Sequence, residues 1–155
     1  MSEPIVLGPG EGEALRNPVG GPVILKTRGA DTGGALTTFE STPAPGEGPP
    51  LHSHPNEDEL IYVLEGSLRV RLEGTDHAAP SGSFVFVPRG APHTWQNDGD
   101  ASARVLFAFT PAAPGMERFF ERSAELPADA RVADAFKEFA ADAGMDVLGP
   151  PLSGS

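Results

Sequence analysis

Between residues 23 and 110 the chain never carries an apolar run far enough to make a helix before a turn signal stops it. Short apolar or alternating runs fall at 23–26, 35–41, 59–65, 68–72, 84–87, 93–96 and 104–110. Turn signals separate them: Gly46, Gly48, Pro49 and Pro50, then Glu65-Gly66, Glu73-Gly74, Pro80 with Gly82, and Asn97-Asp98-Gly99. The runs are rich in Val, Ile, Phe, Leu and Thr, which suit a pleated, half-buried surface. Many short strands at this spacing predict an antiparallel all-β sandwich or barrel. Gly and Pro together make 36 of 155 residues, which agrees with a fold of many turns.

After Pro114 the period changes. Met116, Phe119 and Phe120 recur at helical spacing, and residues 128–143 read as a second helix with Val132, Ala135, Phe136 and Phe139 on one stripe. The expected organisation is an N-terminal arm over 1–22, a β domain over 23–112, a helical extension over 113–148 that packs on it, and a flexible tail over 149–155. Eleven basic against 22 acidic residues leave a net charge of −11, a field that repels phosphate backbones and anionic lipid. No nucleic acid and no membrane partner is expected. Met1-Ser2-Glu3-Pro4 has no basic leader character and no run reaches the roughly 18 apolar residues of a membrane helix, so a cytoplasmic location is the expectation. The absence of cysteine removes disulfides, thiolate metal sites and cysteine nucleophiles together.

Three of the four histidines form a pattern. His52 and His54 are two residues apart, so on a strand they project from one face. Glu59 follows beyond Pro55-Asn56, and His93 lies far enough downstream to sit on a neighbouring strand. Three imidazoles and one carboxylate suit a divalent transition metal: Fe, Mn, Co, Ni, Cu or Zn. Glu57 and Asp58 compete with Glu59 for the acidic position. An ion preferring five or six ligands keeps positions open for substrate. His77, beside Asp76 in a turn-like segment, reads as solvated surface. By strand alternation Trp95 shares a face with His93, and Ile61 and Val63 share one with Glu59. These three are the candidate substrate-pocket residues. Phe84 with Phe86, and Phe107 with Phe109, form same-face pairs whose direction alternation leaves open.

Gly46-x5-His52-x-His54-x4-Glu59-x6-Gly66 resembles the first motif of the cupin superfamily, and Gly82-x5-Pro88-x-Gly90-x2-His93-x3-Asn97 resembles the second. The resemblance implies a cupin-type jelly-roll β-barrel with His52, His54, Glu59 and His93 as metal ligands inside it. It also implies a homodimer. Gly115-Met116-Glu117-Arg118-Phe119-Phe120-Glu121 is similar to the tail of bacterial quercetinase-like proteins, single-domain flavonol dioxygenases. That similarity implies a metal-dependent dioxygenase acting on a small aromatic or enolic substrate, with Glu59 as general base. Two other readings stand beside it. One is a non-oxidative isomerase, lyase or polyketide cyclase on the same site, and the other is a small-molecule-binding module without turnover.

Overall fold

The computed structural model describes residues 2–17, 21–127 and 132–154. Strands β1 (Glu13–Leu15), β2 (Val23–Thr27), β3 (Thr37–Ser41), β5 (Asp58–Glu65), β8 (Phe84–Val87) and β10 (Arg104–Thr110) form one antiparallel sheet, ordered β1-β2-β3-β10-β5-β8. Strands β4 (Pro50–Ser53), β6 (Ser67–Leu72), β7 (Thr75–Pro80), β9 (His93–Asn97) and β11 (Asp146–Pro151) form the second, ordered β11-β4-β9-β6-β7. The two sheets close the all-β jelly-roll barrel expected of a cupin.

Alternation along β5 and β10 explains the core. Glu59, Ile61 and Val63 stand opposite Phe109, Phe107 and Val105, and all six point inward. Thus Phe107 and Phe109 are the buried pair. Phe84 and Phe86 face out on the edge strand β8, beside the exposed Tyr62. Phe39 stacks on Phe107 with ring centroids 4.8 Å apart, joining β3 to the same layer. Leu68, Val70 and Trp95 supply the facing wall from β6 and β9.

Three strands lie where the sequence pattern gives little sign of one. Strand β7, Thr-Asp-His-Ala-Ala-Pro, is almost wholly exposed and pairs only with β6, so it has no need of apolar alternation; His77 is exposed there. Strand β1 lies within the expected arm. Strand β11 occupies residues assigned from sequence to the end of the helical extension and to the tail, and it pairs with β4. Gly149-Pro150-Pro151 is tolerated because β11 is an edge strand, where a proline need not donate to an outer neighbour.

Helix α1 (Pro114–Ala124) starts with proline in its first turn and buries Met116, Phe119, Phe120 and Ser123 on one stripe. Helix α2 (Val132–Asp142) packs against it, with Phe119 and Phe136 in edge contact at 5.3 Å. Residues 128–131 of the expected helix, and the side chains of Val132 and Ala135, lie outside the described residues. The helix closes in a Schellman turn: Met145 N donates to Ala140 O and Gly144 N to Ala141 O, with Gly144 at φ 75°. Among the described residues no helix is long and apolar enough to cross a membrane.

Candidate metal centre

Strand β4 carries His52, and His54 follows directly beyond its end. His52 stands opposite His93 where β4 pairs with β9, while Glu59 comes from β5 in the other sheet. The turn that leads into β9 is fixed from two sides. Gly90 N donates to the His54 carbonyl at 2.8 Å, and Arg89 N donates to the Asp58 carboxylate at 2.8 Å. Gly90 holds φ 85°, which a side chain rarely adopts. Behind the site Asn97 Nδ2 donates to the Pro43 and Ala101 carbonyls, and its Oδ1 accepts from Gly99 N, so its role is to hold the turn.

The structure brings the four expected ligands together. One donor atom from each of His52, His54, Glu59 and His93 lies within 4.8 Å of every other. The four residues are between 1% and 4% exposed. His93 Nε2 is 2.6 Å from Glu59 Oε2, and His54 Nε2 is 3.7 Å from the same oxygen. Glu57 is buried nearby but stays outside the group, with its carboxyl raised mainly by burial. Asp58 pairs with Arg89.

Electrostatics divide the cluster into a charged pair and two neutral rings. Burial is the largest influence on Glu59 and would raise its carboxyl. The charge and hydrogen bond of His93, helped by His54 and His52, outweigh it and hold Glu59 at about 2. Burial also acts most strongly on His93, yet Glu59 overcomes it and raises the ring above its ordinary value. His52 has no such close partner. Burial, reinforced by His93 and His54, pushes it well below 6.5. His54 falls to about 4, chiefly through burial and partly opposed by Glu59.

These groups fit a divalent transition metal. Bonds of about 2.0–2.2 Å to imidazole nitrogen and carboxylate oxygen set donors at most roughly 4.4 Å apart across one ion, so the cluster need contract by only tenths of an ångström. His52 Nδ1 and His93 Nδ1 lie 2.7 and 3.0 Å from the carbonyls of Pro50 and Ala91. Donating there commits each Nδ1 to a proton and turns Nε2 toward the cluster, the orientation a metal-binding imidazole needs.

His52, His54 and Glu59 of the cluster line a cavity whose empty space, open solvent included, is about 460 Å³; His93 is not among its lining residues. From the barrel, Phe39, Trp95, Phe107 and Phe109 line it, with Ser41 and Pro49. Met116, Phe119, Phe120, Phe136 and Met145 roof it from the C-terminal segment, and Asn17 reaches it from the N-terminal side. No Lys or Arg is among the described lining residues, and Glu59 is their only carboxylate. Of the expected pocket residues Trp95 lines the cavity. Ile61 and Val63 do not: they share the face of Glu59 but lie fully buried in the barrel core. The roof of Met and Phe was not assigned to the site from sequence, although the helical spacing of Met116, Phe119 and Phe120 was its visible trace.

Residues 39–109 match the cupin domain family, and the two-sheet barrel has the cupin-type jelly-roll architecture. Over 74 residues the chain is 42% identical to the tetracenomycin polyketide synthase protein TcmJ of Streptomyces glaucescens, covering 48% of this chain and 50% of that one. It is also 36% identical over 103 residues to germin-like protein 3-7 of Oryza sativa subsp. japonica, covering 61% and 44%. The chain thus spans about half the length of these curated relatives. The polyketide cyclase RemF of Streptomyces resistomycificus has the same fold at a TM-score of 0.59 and 23% identity, over 70% of this chain and 80% of that one.

Proposed function

We propose that this chain is a metal-dependent cupin enzyme that closes rings in an aromatic, polyketide-like substrate without consuming dioxygen. The observation that carries the reading is the composition of the cavity: His52, His54 and Glu59 of the four-residue cluster open onto a space walled mainly by aromatic and methionine side chains. A lining without Lys or Arg offers no counter-ion to a diacid, a uronate or a phosphate, whereas a neutral phenol or ketone requires none. The likeness to TcmJ supports the same substrate class, and it favours the cyclase reading over the quercetinase-like dioxygenase also drawn from sequence.

A bound divalent cation would supply Lewis-acid polarisation of a carbonyl or enol oxygen. Glu59 is the one carboxylate among the described lining residues, so a proton leaving the carbon between two carbonyls has that acceptor. The resulting carbon nucleophile attacks a second carbonyl of the same chain, forming a carbon–carbon bond, and loss of water aromatises the ring. The aromatic walls hold the folded chain and keep bulk water out. The test incubates the protein, loaded in turn with Zn, Mn, Fe, Co and Ni, with a linear aryl 1,3,5,7-tetraketone, in air and without it. Carbocyclic phenols identified by NMR, lighter by one water and formed equally under both conditions, support the reading. Products bearing two added oxygen atoms, formed only in air, restore the dioxygenase; no conversion by any form rejects both.

A further inference from the structure

Strand β9 reads His-Thr-Trp-Gln-Asn, and every one of its five side chains is buried. Four of them spend their polar atoms inside the protein. His93 pairs with Glu59 and the Ala91 carbonyl, Thr94 donates to the Pro49 carbonyl, Gln96 to those of Gly46 and Leu152, and Asn97 to those of Pro43 and Ala101. Trp95 is the exception. It is 7% exposed, and its indole N–H makes no hydrogen bond among the described residues. Nor is that nitrogen sealed away: among the described residues the one sealed side-chain nitrogen or oxygen lacking a partner is Arg69 Nε. The Trp95 nitrogen therefore keeps some exposure, and the cavity is a space that Trp95 lines.

Phe107 packs against the ring with centroids 5.5 Å apart, and the strand backbone is closely held here, since a Cβ on Gly48 would stand 2.0 Å from the Trp95 carbonyl oxygen. A buried tryptophan ordinarily finds a protein partner for its N–H, and this one has none among the described residues. A donor held rigidly at an apolar wall is the kind of group that orients a ligand.

We infer that the Trp95 indole N–H is a specificity-determining donor that grips a carbonyl or phenol oxygen of an aromatic substrate in this cavity. Two residues of strand separate Trp95 from His93, about 6.7 Å, so the oxygen it holds is distinct from one directed at the histidine cluster. The substrate class is then an aromatic carrying two oxygens, one directed at each group. The inference rests on the aromatic-substrate reading above.

The experiment compares two probes of similar shape, 2-acetonaphthone and 2-ethylnaphthalene, by equilibrium dialysis against the full chain loaded with redox-silent Zn²⁺. In Trp95→Phe the ketone-to-hydrocarbon affinity ratio is expected to fall about 2- to 10-fold, the worth of one neutral hydrogen bond, while hydrocarbon binding and zinc content hold. Trp95 is the only tryptophan, so ultraviolet resonance Raman on the wild-type protein reads the same contact without a substitution. The indole N–H band should shift with the ketone and not with the hydrocarbon. If both probes bind but the ratio survives the substitution, or the band stays still, the Trp95 assignment is overturned and the aromatic-substrate reading stands. If neither probe binds the wild-type protein, both fall.

Discussion

Loading the metal centre at mildly acidic pH should release about one proton, where three ordinary histidines would release nearly three. At pH 5.5 an imidazole of ordinary value 6.5 is about 90% protonated, so three such ligands would shed about 2.7 protons on binding. Here burial has already discharged two of them. His54, at about 4, is only ~3% protonated at pH 5.5, and burial shifts His52 toward its neutral form in the same direction. Glu59, at about 2, is already a carboxylate. His93 alone is raised and keeps its proton. The sign follows: binding competes with that one proton, so affinity should rise about tenfold per pH unit until His93 deprotonates, and then level. Titrating Zn²⁺ into metal-free protein at pH 5.5, in two buffers of different protonation enthalpy, gives the number from the dependence of the observed heat on buffer. A count between two and three would mean that His52 and His54 are hydrated rather than buried. A count near zero would mean that His93 and Glu59 do not form the pair described.

Three further outcomes are expected. His93→Ala should lower the metal-to-protein ratio from near one to below about a tenth by elemental analysis, while far-ultraviolet circular dichroism keeps its β signature; leaving Glu59 without its partner should cost the metal-free protein up to about 3–5 kcal/mol in urea unfolding. Gly115→Ala places a Cβ 2.6 Å from the Ala143 carbonyl oxygen where α1 meets the end of α2, and should cost about 1–3 kcal/mol by the same measurement. On the outer sheet face Phe84 and Phe86 are 62% and 49% exposed beside Tyr62 at 41%, an uncharged patch on a chain of net charge −11, and the expected homodimer would bury it. Phe84→Glu with Phe86→Glu should halve the sedimentation mass and leave zinc affinity unchanged.

The four-residue cluster was legible because its chemistry is scarce and its spacing is geometric. Four histidines, three of them at strand-compatible positions beside an acid, leave few arrangements, and the choice of Glu59 over Glu57 and Asp58 came from the motif resemblance. Alternation gave the face of each side chain but not its depth. Ile61 and Val63 share the face of Glu59, yet one end of that face opens on the cavity while the rest is sealed by Phe107 and Val105 across the pair with β10. Likewise the Phe84 and Phe107 pairs alternate identically, and only the sheet order, with β8 at an edge and β10 in the interior, separates them. Strands β7 and β11 left little trace because an edge strand can be polar or proline-bearing at little cost.

The helical roof is fastened at both ends. Before α1 the chain leaves β10, with Ala113 N held by the Thr37 hydroxyl; after α2 it returns as β11 and lies along β4, with Val147 beside His52 itself. A cover anchored this way is a strap rather than a flap. Any loosening of its second anchorage would be felt first by the strand that bears His52. The cover of the cavity and the geometry of the histidine–carboxylate cluster are thereby tied to one run of backbone.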